Sequence, residues 1–128
     1  SHLTETGVLT INVGRLPNDR RLINGLATTI AQVLPSVYIM DIPYTLNSII
    51  YATKAPTQVE YLSANFVHLY ESGDAHPLLM DAMQTAWEYQ QPSYETTTVF
   101  TDDLAPIEWI TNDMILGFML GGDVSSLQ

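Results

Sequence analysis

Two groups of side chains in this sequence have the residue types to bind a cation. Asp102, Asp103 and Glu108 bracket Pro106, and together they can hold an ammonium group or a metal ion. The same position also suits helix capping, because a carboxylate just before a helix accepts from its first N–H groups and complements its positive end. Both readings stand, and one residue can serve both. His68, Glu71, Asp74 and His76 fall within nine positions. Imidazole and carboxylate are metal ligands, but this spacing matches no zinc pattern and runs through Gly73, so no metal is assigned. Other chemistries lack their parts. There is no cysteine, and no serine stands in a G-x-S-x-G elbow. No glycine-rich turn of the G-x-G type follows a strand. No catalytic residue is assigned.

The elements that carry these residues read as an α/β arrangement. Gly7–Val13, rich in β-branched residues, predicts a strand that ends at Gly14. Arg20–Leu34 predicts a helix with Leu22, Ile23, Leu26, Ile30, Val33 and Leu34 along one side and with Asn18 or Asp19 as its cap. Gly25 within it costs about 1 kcal/mol relative to Ala, so close packing is expected there. Val37–Ile42 and Ser48–Thr53 predict two further strands joined by Pro43–Asn47. Neither alternates cleanly between apolar and polar residues, so this hairpin is expected at the centre of a sheet, buried on both faces. A strand, a crossover helix and a second strand form a parallel unit, and the last strand must run back against its predecessor. Arg15 then lies at the C-terminal edge of the sheet, where α/β proteins bind ligands; it faces a substrate or an acidic neighbour. Helices are expected over Thr57–Leu69, Pro77–Gln90 and Pro106–Leu120, with an extended stretch at Tyr94–Phe100. The whole is expected to be one domain, residues 1–128, with a sheet core over 7–53 and a mainly helical part over 54–128.

Charge divides the chain in two. Residues 1–54 hold all four basic residues against three acidic ones, for +1; residues 55–128 hold eleven acidic residues and no Lys or Arg, for −11. Such a surface is a poor partner for nucleic acid. It attracts a cationic small molecule or a basic protein surface, and it also serves as a solvated acidic face. No apolar run is long enough to span a bilayer. The absence of cysteine fits a cytoplasmic location. Ser1-His2 resembles a cloning remnant, and the sequence reads as a fragment excised from a longer protein.

The segments Gly7–Arg15, Asp19–Leu22, Leu34–Tyr38 and Asn47-Ser48, followed by Thr101-Asp102-Asp103-Leu104-Ala105-Pro106-Ile107-Glu108-Trp109, resemble the C-terminal half of spermidine-synthase-like proteins. The resemblance is to the group in which that domain occurs in multidomain, often membrane-fused, bacterial proteins. It covers most of residues 7–53 and 101–110 and adds little over 57–92.

The resemblance implies a Rossmann-like methyltransferase sheet, of which the three predicted strands are the fifth, sixth and seventh. It implies a parent that transfers an aminopropyl group from decarboxylated S-adenosylmethionine, or uses S-adenosylmethionine itself. The cofactor half and the catalytic aspartate would lie upstream of residue 1, leaving this piece inactive alone. Ile42-Pro43-Tyr44-Thr45 is similar to the family's loop that walls the polyamine pocket, which makes Tyr44 a substrate-binding candidate beside Arg15, Asp102, Asp103 and Glu108. An aromatic face suits such a ligand, since it packs on methylenes and favours ammonium groups. Expected partners are the missing N-terminal half, a polyamine, and a second copy paired through the bare edge of the first strand. The alternative is a non-catalytic acidic module for interaction or oligomerisation.

Overall fold

The computed structural model describes residues 3–92, 96, 98–102 and 106–121. Its elements are β1 (Val8–Gly14), α1 (Arg21–Ala31), β2 (Ser36–Asp41), β3 (Asn47–Thr53), α2 (Glu60–Ser72), α3 (Pro77–Glu88), β4 (Gln90–Gln91) and α4 (Ile107–Gly121). The fold is mixed α/β. The sheet order is β1-β3-β2-β4, and every neighbouring pair is antiparallel. β1 and β2 therefore point the same way, but they do not touch: the reversed strand β3 lies between them and pairs with both.

Strand periodicity sorts the side chains into two faces. The register sets Ile11, Ile50 and Ile39 in one row across β1, β3 and β2, with Leu9, Ala52 and Val37 on one side of it and Val13, Ser48 and Asp41 on the other. α1 covers this face with Leu22, Ile23, Ala27 and Ile30. Ile23 and Ile39 are fully buried and Ile50 nearly so. Burial of that apolar area is the main force holding α1 to the sheet.

The opposite face is only half covered, which departs from the expectation of a hairpin buried on both sides. β3 alternates strictly between buried and half-buried residues. On the open face Tyr38 of β2 and Tyr51 of β3 stack with ring centroids 5.2 Å apart and planes 22° apart. Val8, Thr10 and Asn12 of β1 are exposed on that side. The reason lies in α2 and α3, which pack on each other and contribute no buried residue.

α1 is buried on its far side as well. Thr29 accepts from the backbone N–H of Phe100 at 2.8 Å and donates to the carbonyl of Gly25 at 2.7 Å. Thr28 accepts from the N–H of Thr96 at 3.2 Å. This straps Thr96 and Phe100 over the helix and drops the Phe100 ring onto Gly25. A Cβ at position 25 would lie 2.4 Å from Cζ of Phe100, well inside contact distance. The glycine's cost in helix propensity is thus the condition for the ring's burial. α4 extends the same layer, with Ile110 and Met114 buried and Asp113 paired to Arg21 of α1 at 2.6 Å.

The predicted elements agree with the observed ones to within a few residues. β4 is the addition: Gln90, expected to end the third helix, and Gln91 after it pair with Met40 and Ile39. Of the extended stretch at Tyr94–Phe100, Thr96 and Thr98–Phe100 are described and form a strap rather than a strand; Ser93–Glu95 and Thr97 lie outside the described residues.

Gly25→Ala is expected to destabilise the protein by about 1–3 kcal/mol despite alanine's better helix propensity, because overpacking against Phe100 outweighs it. Chemical denaturation checks this. The double variant Gly25→Ala/Phe100→Leu should recover part of the loss, whereas a Gly25→Ala variant more stable than wild type would contradict the packing.

Candidate functional site

The ends of β1 and β2 converge on a single carboxylate. Asp41 closes β2 and faces Ser48 across the hairpin in register. Arg20, immediately before α1, makes a two-pronged contact with it: one terminal nitrogen donates to Oδ2 at 2.9 Å and the other to Oδ1 at 3.1 Å. The Ser48 hydroxyl donates to Oδ1, and Nε of Arg15 lies 3.3 Å from the same oxygen. The three charged side chains retain only 13–20% of their accessible surface. Burial by itself would push the Asp41 carboxyl up. The Arg20 fork, the Ser48 hydrogen bond and the two positive charges outweigh it and hold the carboxyl below its ordinary value.

Arg15 also builds the hairpin turn. Its terminal nitrogen donates to the carbonyl of Thr45 at 3.3 Å, and its backbone N–H donates to the carbonyl of Leu46 at 2.8 Å. Thr45 closes the turn from inside, donating its hydroxyl to the carbonyl of Ile42 at 2.9 Å and accepting from the N–H of Asn47 at 3.2 Å. Of the two readings of Arg15, the acidic neighbour is the one observed. Arg15 positions the turn.

At the tip of that turn stands Tyr44. It has φ of 60°, the left-handed region that side chains other than glycine rarely adopt, and it is 83% exposed. Arg15, Thr45 and the Ile42–Asn47 backbone pair hold the chain in this shape, so the strain is imposed by the surrounding bonds. The ring stands largely in solvent.

The acidic candidates are not gathered around Tyr44. Asp102 and Glu108 are exposed near the start of α4, and no contact joins either to the hairpin turn among the described residues. Asp103 lies outside the described residues. The N-cap position of α1 falls to Arg20, with no side-chain cap bond, and not to the expected Asn18 or Asp19. Asp19, one residue earlier, accepts from the N–H of Arg21 at 3.1 Å and binds its guanidinium, which lowers the Asp19 carboxyl pKa. His76 caps α3, its Nδ1 accepting from the N–H of Leu78 at 3.2 Å. Among the described residues no three His, Asp or Glu side chains are grouped to hold a metal ion. Asp41, Arg20 and Ser48 were not singled out in the sequence. Their signal was the hairpin register itself, which sets 41 opposite 48 once the strands are aligned.

Comparison with known protein families, with curated proteins and with solved structures finds no match. No helix among the described residues is long and apolar enough to cross a membrane.

Because the folded-state pKa of Asp41 is depressed, its contribution to stability is present above the ordinary carboxylate range of about pH 4 and is lost as pH falls through the lower folded value. Asp41→Asn should therefore cost about 2 kcal/mol at pH 7, less than the roughly 3–5 kcal/mol of a fully buried pair. The gap to wild type should close below pH 4 in denaturant melts recorded across pH. A gap independent of pH would assign the cost to packing instead. Tyr44→Gly, relieving the left-handed strain, should stabilise the fold by about 1 kcal/mol in the same melts.

Proposed function

We propose that the chain is the substrate-side, C-terminal part of a spermidine-synthase-like transferase with a Rossmann-like sheet, whose parent moves an aminopropyl group from decarboxylated S-adenosylmethionine to an amine. The observation that supports it is the strand arrangement at one sheet edge. β1 and β2 run the same way with the reversed β3 between them, and among the described residues no strand pairs with the outer edge of β1. A seven-residue strand with a free edge asks for another strand, supplied by the rest of a larger sheet or by a second copy.

In this reading Tyr44 walls the amine site. Its strained backbone keeps the ring out of the core and in solvent, where the aliphatic stretch of a polyamine packs on it and an ammonium group meets its face. Asp102 and Glu108 contribute to the negative field that concentrates a cation near the chain. Arg15 acts through the turn and does not touch the amine.

The adenosyl cofactor is not held by these residues. The turn after β1 carries Gly14-Arg15-Leu16-Pro17, with Arg15 committed to Asp41 and Thr45. The N–H of Arg21 at the start of α1 is already accepted by Asp19. No glycine-lined cradle follows β1 among the described residues. Cofactor binding and the transfer itself fall to residues outside this chain.

A second reading, a non-catalytic acidic contact module, draws on the exposed apolar side chains of α2 and α3.

Calorimetric titration tests the first reading. Spermidine should bind the chain weakly and Tyr44→Ala should abolish that heat, while decarboxylated S-adenosylmethionine gives none. A protein extended upstream of residue 1 should bind the cofactor and transfer the aminopropyl group. Equal spermidine binding by Tyr44→Ala, or an extended protein that neither binds nor transfers, would sink the proposal. Light scattering of the 128-residue chain should show a dimer; a monomer at every concentration counts against pairing through β1.

A further inference from the structure

α2 and α3 form a helical hairpin closed by Gly73, whose φ of 69° gives the left-handed C-cap that ends α2. Both helices carry apolar residues at helical spacing, yet neither buries one. Between them runs an open trough of about 430 Å³, walled by Leu62, Phe66 and Val67 from α2 and by Met83, Gln84 and Trp87 from α3. Val67 is 52% exposed and Trp87 49%. A smaller cavity of about 200 Å³ continues past Leu62 to the stacked Tyr38 and Tyr51.

The borders of the trough are acidic. Along α2, Glu60 stands one turn before Ser63 and Glu71 one turn after Val67. Along α3, Asp81 and Glu88 stand one turn to either side of Gln84, which holds Glu88 by a 2.8 Å hydrogen bond. No Lys or Arg occurs anywhere in residues 55–128. A cation on a visiting molecule thus meets no competing cation from this half of the chain.

We propose that the α2–α3 trough docks a basic amphipathic helix of a partner protein. The inference rests on the second functional reading, the acidic contact module, and names its site and its partner. Apolar side chains at i, i+3, i+4 and i+7 of the incoming helix fill the trough, and its Lys and Arg residues lie against the acidic borders. Methionine and tryptophan suit such a floor: the first adapts its shape, and the second supplies a large buried area. A second copy of this chain is the weaker occupant, because its own α2–α3 borders bring acid against acid.

The test uses the Trp109→Phe variant, which leaves Trp87 as the sole tryptophan. Its emission is followed during titration with an 18-residue amphipathic Leu/Lys peptide and with the same peptide carrying Glu for Lys. The Leu/Lys peptide should give a saturable blue shift that weakens as salt rises. Val67→Asp should weaken it at least about tenfold with circular dichroism unchanged, since Val67 is half exposed. Glu60→Gln/Glu88→Gln should weaken it less and flatten the salt dependence. If the Leu/Glu peptide binds as well, the basic partner is wrong and the contact module stands. If neither peptide binds, both fall. Unchanged binding by Val67→Asp would place the peptide elsewhere and overturn the site. If Val67→Asp instead changes the size of the protein without peptide, the occupant is a second copy and the proposal is overturned.

Discussion

The carboxylate of Asp41 is the point at which separate parts of the chain are fixed to one another. It takes two guanidinium bonds from the residue leading into α1, a hydroxyl bond from the second residue of β3, and the charge of the residue that follows β1. Both ends of the β1–α1 loop and the two strands of the hairpin therefore meet at one pair of oxygens. A bidentate arginine constrains direction as well as distance, so the start of α1 is aligned with the end of β2, and the hydrophobic contacts of α1 follow from that alignment. The same cluster sets the hairpin turn through the second bond of Arg15, and with it the position of Tyr44. The exposed tip is shaped by a half-buried charge cluster a few residues away.

α1 is the other organising element, because it is covered on two sides by different means. Toward the sheet it offers Leu22, Ile23, Ala27 and Ile30, and the contact is hydrophobic. Toward Thr96 and Phe100 it offers Gly25, Thr28 and Thr29, and the contact is a ring over a bare backbone flanked by hydroxyl bonds. The hydroxyls supply partners to backbone N–H groups that no strand or helix would satisfy in an irregular segment. That is how a strap without regular structure comes to form part of the core.

The α2–α3 hairpin belongs to a different regime. Its helices gain their stability from each other and from Tyr38, whose hydroxyl meets Thr57 at 2.9 Å just before α2. With no buried side chain, its opening costs little compared with loss of the sheet, and it is the place where a bound molecule would change the protein's behaviour most. Its acidic surface and the compact Arg15–Arg20–Asp41 cluster are the two electrostatic poles of the chain, one solvated and negative, the other half-buried with two guanidinium groups on one carboxylate.

Local residue pattern settled much of this. Strand and helix positions followed from β-branched runs, helical spacing and the breaker Gly14, because each reports on the conformation of its own few residues. Gly25 signalled close packing for the same reason: a helix tolerates its cost only for a neighbour. The identity of that neighbour, Phe100, was not readable, since the two are far apart in sequence and no local rule links them. Nor was the placement of β3 between β1 and β2, because pairing depends on which edges meet once α1 has docked. Two of the side chains around Asp41 come from the loop after β1 and the residue before α1, so their convergence exists only after folding. The apolar stripes of α2 and α3 were legible as stripes. That they remain uncovered was decided by tertiary structure alone, because periodicity tells which face is apolar and says nothing of what lies against it.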